Sequence, residues 1–162
     1  MPSAVCLLTI CFAQSTATID HHIMQKMACG EGGCGACAVV LSRPNPDLGG
    51  GGGDICMAVN SCLRPLASLH GWTVTTVEGL GSRCKVPGGK GGQPQPHPIQ
   101  ARLSDFNASQ CGFCTPGVVC SLYAQVHAGC QDEPKDAAAL AGALDGNLCR
   151  WVLCVCMCMH AS

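Results

Sequence analysis

The sequence predicts an α+β chain, with short strands and loops in its first half and a small helical unit in its second. Three observations carry this. Val-rich or alternating apolar stretches punctuate residues 36–78, apolar residues recur at helical spacing from Ile99 onward, and a segment rich in Gly and Pro separates the two regimes.

Taken in order, residues 1–28 show no clear period. Within them, Ala4–Ala13 (AVCLLTICFA) is an apolar run of signal-peptide length, but no Lys or Arg precedes it as a secretory leader requires. The run is also too short to cross a membrane, so it reads as a buried strand or an unstructured leader, with a signal peptide as the alternative. Ala36–Ser42 (ACAVVLS) predicts a short buried strand, and Arg43–Asp47 with the Gly49–Gly53 run predicts a loop. Ile55–Asn60 is a second apolar stretch, and Trp72–Glu78 (WTVTTVE) alternates as a half-buried strand does. Ser82–Pro98 has little apolar content and reads as a linker or surface insertion. Beyond it, Ile99, Leu103 and Phe106 predict one helix. Pro116 opens a second that runs through Val118, Val119, Leu122, Tyr123 and Val126 to a stop at Gly129. Ala-rich Pro134–Leu144 predicts a third, ended by Gly146.

Composition narrows the function. Charged residues make up 12% of the chain and the net charge is −1, which excludes the basic excess that nucleic acid or an acidic membrane surface would attract. Aromatics are 4%, so the core must be built from aliphatics and cysteine. Sixteen cysteines are the dominant fact. A disulfide scaffold is one reading of such content. Most of these cysteines fall in tight local clusters, however, and thiols two or three residues apart are what a metal site needs to converge on one centre.

The sharpest cluster is CGEGGCGAC, Cys29 to Cys37, with 24 residues between Cys37 and Cys62. Cys-x4-Cys-x2-Cys with one distal cysteine is the spacing of plant-type two-iron ferredoxin sites. Gly30, Gly32, Gly33 and Gly35 let the loop backbone approach a cluster and turn N–H groups toward its sulfurs. The alternative is a zinc knot, although zinc sites usually arrive as two Cys-x2-Cys arms. Further on, Cys111-Gly112-Phe113-Cys114 is a Cys-x2-Cys pair just ahead of a predicted helix start, where free N–H groups favour thiolate. A thioredoxin-like redox pair is the other reading, but no βαβ pattern precedes it. Cys56, Cys84, Cys120 and Cys130 lie in apolar or loop stretches and read as inert thiols. The six histidines are poor candidates for specific roles; His21-His22 read as solvated leader residues, with metal ligation as the alternative.

The segments CGEGGCGACAVVLS, NSCLRPLASLHG and TVTTVEGLGS resemble the N-terminal iron–sulfur region of the xanthine dehydrogenase and aldehyde oxidase family, the molybdenum hydroxylases. QCGFCTPGVVCSLYA and DGNLCR resemble the second half of that region, and together these matches cover much of residues 29–150 in the family's order. The resemblance implies a β-grasp ferredoxin-like 2Fe-2S domain over residues 1–81, a linker at 82–98 and a small all-helical 2Fe-2S domain over 99–162. Residues 1–28 lack the hairpin and helix that open the family's first domain, which leaves that domain incomplete at its start. Residues 151–162 also follow no family pattern, so both ends read as truncated or misread.

By resemblance, Cys29, Cys34, Cys37 and Cys62 ligate the first cluster, with Gly30, Gly32, Gly33 and Gly35 lining it. Cys111 and Cys114 would hold one iron of a second cluster, and Cys149 with position 151 the other. Gln110 matches a glutamine near the pterin cofactor of the partner domain. Position 151 is a tryptophan, whose indole only donates hydrogen bonds, so the second cluster is expected to lack its fourth ligand. Cys154 returning through a tight turn is the alternative, as residues two apart on a strand (Cys154, Cys156, Cys158) lie too far apart to share one iron.

The expected function is therefore an iron–sulfur electron-transfer module that passes single electrons from a molybdopterin centre toward FAD. Both of those cofactors would reside in partner domains or subunits, in the cytoplasm, and this chain would hold no complete active site. The competing readings are a zinc-loaded cysteine-rich module and a non-functional fragment of the large enzyme.

Overall fold

The computed structural model describes residues 26–45, 54–81, 96–127 and 137–149. The apolar run at Ala4–Ala13, the glycine run, residues 82–95, Gly129 and Arg150–Ser162, with Trp151 and the tail cysteines, lie outside the described residues.

Strand β1, Ala38–Pro44, is the middle of a three-stranded antiparallel sheet of order β2–β1–β3. It pairs with β2, Asp54–Asn60, from Ala38 opposite Asn60 to Pro44 opposite Asp54. On its other edge it pairs with β3, Thr73–Thr75, from Val40 opposite Thr75 to Ser42 opposite Thr73. Ala38–Leu41 are all buried, so the short Val-rich run is covered on both faces, as an unbroken apolar run anticipates. At the far end of β1 the Arg43 guanidinium lies 4.5 Å from the centre of the Trp72 ring, a cation–π contact across the β1–β3 edge.

The alternation expected through Glu78 breaks at Thr76. That residue keeps extended dihedrals (φ −88°, ψ 171°) and leads into a single helical turn, α1, Val77–Leu80. Val77 and Leu80 are three apart, so one turn packs both, partly buried, against the core, which extended geometry would not.

Helix α2, Pro98–Asp105, starts where Pro can occupy the first turn at no cost in hydrogen bonds. His97 caps it: its Nδ1 accepts from the Ile99 N–H at 3.3 Å, and the His97 N–H donates to Gln100 Oε1 at 2.7 Å. The Gln100 amide also donates to the carbonyls of Val77 (3.4 Å) and Gly81 (3.0 Å), which ties the two ends of segment 82–95 to one side chain. Phe106, expected on the apolar face of this helix, is its C-cap and is exposed, with the Arg102 guanidinium over its ring.

Helix α3, Thr115–His127, is the centre of the molecule. Gly117–Leu122 and Ala124 are buried, so its first half is covered all round rather than along one stripe. Val118, Val119 and Leu122 pack with Leu103 and Leu144 in one apolar group, while Cys120 packs with Ala38 and Val40 of the sheet in another. Val77 and Leu80 touch both groups. Helix α4, Ala137–Gly142, ends two residues before Leu144, where the Ala-rich pattern closes; Pro134–Asp136 lie outside the described residues. Gly142, a poor helix former, is its last residue, and the chain continues in tight turns (Leu144 N to Ala141 O, 2.9 Å; Asn147 N to Leu144 O, 2.8 Å). Gly146 thus lies in this run of turns instead of terminating the helix.

Candidate metal centre

The first cysteine loop runs along the surface from Cys29 to Gly33 and then dives: Cys29 is exposed, whereas Cys34 and Cys37 are buried. Gly30, Gly32 and Gly35 adopt φ of 70°, 75° and 65°, in the left-handed region that side chains disfavour. Gly33 has no such backbone requirement, which trims the four expected loop glycines to three with a conformational reason.

Cys62 reaches this loop from across the sheet. β2 ends at Asn60, and a 3₁₀ turn at Ser61–Leu63 carries the distal cysteine inward. Three consecutive residues lock the join. The Asn60 side chain donates to the Gly32 carbonyl at 2.7 Å, the fully buried Ser61 hydroxyl donates to the Cys37 carbonyl at 2.8 Å, and the Cys62 N–H points at Cys37 Sγ at 3.5 Å. Asn60 and Ser61 were not singled out from the sequence. Their only signal there is that they directly precede the distal cysteine.

The four cysteines interact as two pairs. The thiols of Cys29 and Cys34 hydrogen-bond, as do those of Cys37 and Cys62, and Cys62 also feels the charge of Cys29. Backbone N–H groups turn toward them: Glu31 N–H donates to Cys29 Sγ at 3.4 Å and Gly32 N–H to Cys62 Sγ at 3.2 Å. The Cys29 thiol is lowered from 9.0 to about 7, first by the Glu31 N–H and then by the Cys34 thiol. Burial pushes Cys62 the other way, to about 11, helped by Cys37. Among the described residues, no three or more His, Cys, Asp or Glu side chains group as a single metal ion would need. Two thiol pairs with inward N–H donors and no carboxylate or imidazole among them fit a two-iron cluster, which takes two thiolates on each iron.

At the second site Cys111 is exposed and Gly112 turns the loop at φ 80°. Cys114 directly precedes α3, and its carbonyl accepts from Val118 N–H at 3.1 Å. Its sulfur lies 2.9 Å from Cys149 Sγ, a thiol–thiol contact much longer than a disulfide's ~2.05 Å. This contact joins Cys114 to Cys149, two of the three cysteines that the sequence reading assigns to the second site. The position before a helix start favours thiolate, but here burial and the Cys149 sulfur win and push the Cys114 thiol to about 11. Gln110 is exposed beside this loop, and the Ser109 and Thr115 hydroxyls, 2.7 Å apart, bracket it. Three thiols of the described residues fit part of a second two-iron site, and Trp151 lies outside them. Cys120, expected to be inert, is 1% exposed in the core with its thiol pushed up to about 12, chiefly by burial.

The fold and its two cysteine sites define an iron–sulfur protein of mixed helix and sheet. A family profile described as "[2Fe-2S] binding domain" matches residues 76–154, a span containing Cys111, Cys114 and Cys149. Xanthine dehydrogenase of Drosophila pseudoobscura pseudoobscura is 46% identical over 126 residues, 77% of this chain and 8% of that relative. Abscisic-aldehyde oxidase of Arabidopsis thaliana is 44% identical over 127 residues, 77% of this chain and 9% of the relative. In structure, the aldehyde oxidoreductase from Desulfovibrio desulfuricans superposes with a TM-score of 0.65 at 22% identity, over 95% of this chain and 16% of that one. Quinoline 2-oxidoreductase from Pseudomonas putida gives 0.55 at 24% identity, over 78% of this chain and 62% of that one. The chain belongs to the xanthine dehydrogenase and aldehyde oxidase family, matching its iron–sulfur region. It spans less than a tenth of the length of these curated relatives. No helix among the described residues is long and apolar enough to cross a membrane.

Proposed function

We propose that this chain is the electron-transfer module of a molybdenum hydroxylase, relaying single electrons from a molybdopterin centre toward FAD, both held by partner domains or subunits. The observation that carries the reading is that Cys29 interacts with Cys34 and Cys37 with Cys62, while the Glu31 and Gly32 N–H groups of the loop donate to the sulfurs of Cys29 and Cys62. A two-iron cluster supplies, when bound, one-electron chemistry with little rearrangement. The chain's own residues do the rest. Cys29, Cys34, Cys37 and Cys62 hold the first cluster. The N–H groups of Glu31 and Gly32 stabilise negative charge on Cys29 and Cys62. Burial of Cys34, Cys37 and Cys62 keeps water from the inner sulfurs, while the exposed Cys29 leaves the outer edge open to a redox partner.

We further read the sheet and its loop as the β-grasp ferredoxin-like half and α2–α4 as the helical half. In that half Cys111, Cys114 and Cys149 supply three of the four ligands of a second site whose fourth position falls on Trp151, so that site holds no complete cluster, and Gln110 faces the pterin-bearing partner. Anaerobic reconstitution with counting of iron and acid-labile sulfide tests both statements. About two irons and two sulfides per chain, a visible charge-transfer spectrum and one EPR signal on reduction are expected. Near four irons would mean that a tail cysteine completes the second site. A colourless chain holding zinc and no sulfide would replace electron transfer with a structural zinc module.

A further inference from the structure

The loop that holds the first site is gripped by the segment that presents Cys149. Leu148 N–H donates to the Cys34 carbonyl at 2.9 Å, and the Asn147 side-chain amide donates to the Gly35 carbonyl at 3.2 Å. The Gly35 carbonyl also accepts from Ala38 N–H at 3.2 Å. The approach leaves no room for side chains. A Cβ on Gly35 would meet the Gly146 carbonyl and Asn147 Nδ2, each at 2.6 Å, and one on Gly117 would strike the Gly35 carbonyl oxygen.

These bonds act on two consecutive peptide units, 34–35 and 35–36. A trans peptide sets its N–H antiparallel to its C=O, and the described residues contain no cis bond. Pinning both carbonyls on the side of residues 147–148 therefore holds the Gly35 and Ala36 N–H groups on the opposite side. A glycine-rich loop would otherwise let these peptide planes rotate at little cost. N–H dipoles near cluster sulfurs favour the reduced, more negative state, so their orientation sets a reduction potential.

We propose that Asn147 is a positioning residue for the first site: lying 112 positions after Gly35, it fixes the Gly35–Ala36 peptide plane, between Cys34 and Cys37, and thereby tunes the redox centre held there. The proposal rests on the electron-transfer reading of the Cys29–Cys62 site.

The test uses the full chain carrying Cys111→Ser, which leaves the Cys114–Cys149 contact in place and confines iron to the first site. In that parent, Asn147→Leu removes the donor without adding charge. Leu140→Ala, which trims the helical core instead, serves as a control for stability. The readouts are iron per chain, thermal midpoint, and the midpoint potential from an EPR-monitored redox titration. Asn147→Leu is expected to move the potential to a more negative value with an altered EPR line shape, or to shed iron that Leu140→Ala retains. Leu140→Ala is expected to lower the thermal midpoint at unchanged potential. The proposal is overturned if Asn147→Leu keeps the parent's potential and line shape, or if both variants shift or lose iron alike. A parent that takes up no cluster would refute the electron-transfer reading itself, and this inference with it.

Discussion

Gly117→Ala is the substitution whose sign depends most directly on the tertiary structure. Gly117 lies in the first turn of α3, and glycine in a helix is about 1 kcal/mol worse than alanine, so helix propensity alone forecasts stabilisation of up to that amount. The new methyl group, however, would overlap the Gly35 carbonyl oxygen, a backbone atom already held by Asn147 and Ala38. Forcing an extra methyl into a packed site costs about 1–3 kcal/mol, and a backbone neighbour that cannot rotate aside belongs at the upper end. The net expectation is a loss of roughly 1–2 kcal/mol, which for a chain of 162 residues lowers the thermal midpoint by about 2–8 °C. Gly142→Ala is the control. It too lies in a helix, but nothing stands within 4 Å of its added Cβ, so it should be neutral or stabilising. Circular-dichroism melts of the two apoprotein variants, run side by side under reducing conditions, read the difference. If Gly117→Ala melts at or above the wild-type temperature, the close seating of α3 on the first cysteine loop is wrong, and with it the grip of residues 146–148 on Gly35.

Three other expectations follow from the same geometry. With its pKa near 7, about half of Cys29 is thiolate at neutral pH against about 1% of an ordinary thiol. After allowing about tenfold for the lower nucleophilicity of a more acidic thiol, apoprotein Cys29 should react with iodoacetamide roughly fivefold faster than an ordinary exposed thiol, and peptide mapping that finds uniform labelling would contradict it. Burial raises Cys62 and Cys114 from 9.0 to about 11, so the folded apoprotein favours their protonated forms. Their stabilisation is complete below about pH 9 and is lost as pH climbs through 11, so apoprotein melting temperatures should fall across that window, and a flat or rising profile would refute the burial of these thiols. Leu122, 2% exposed and packed between α3 and the other helices, should cost about 2–5 kcal/mol on truncation to alanine, seen as a lower urea midpoint with an unchanged slope.

Much of the site was legible because its chemistry is local. The spacing from Cys29 to Cys37 and the glycines between them describe a loop that can wrap a cluster before any fold is known, and Pro116 marks the start of α3 by its missing N–H. Strand β1 was legible for the same reason, since Ala38–Leu41 is an unbroken apolar run. The single turn α1 was not, because Trp72–Glu78 reads like a strand and only the packing of Val77 and Leu80 against the core tips the chain into a helical turn.

What no local pattern contains is which distant groups meet. The sequence by itself determined the supply of ligands: thiols at metal-binding spacing, few charges, and glycines where the backbone must turn. Only the tertiary structure decided that Asn60 and Ser61 lock Cys62 to its loop and that Asn147 holds Gly35. Spacing limits what neighbouring residues can reach. Contacts between residues more than a hundred positions apart arise from burying α3 between the sheet and the other helices, a free energy that belongs to the whole core and to no single motif.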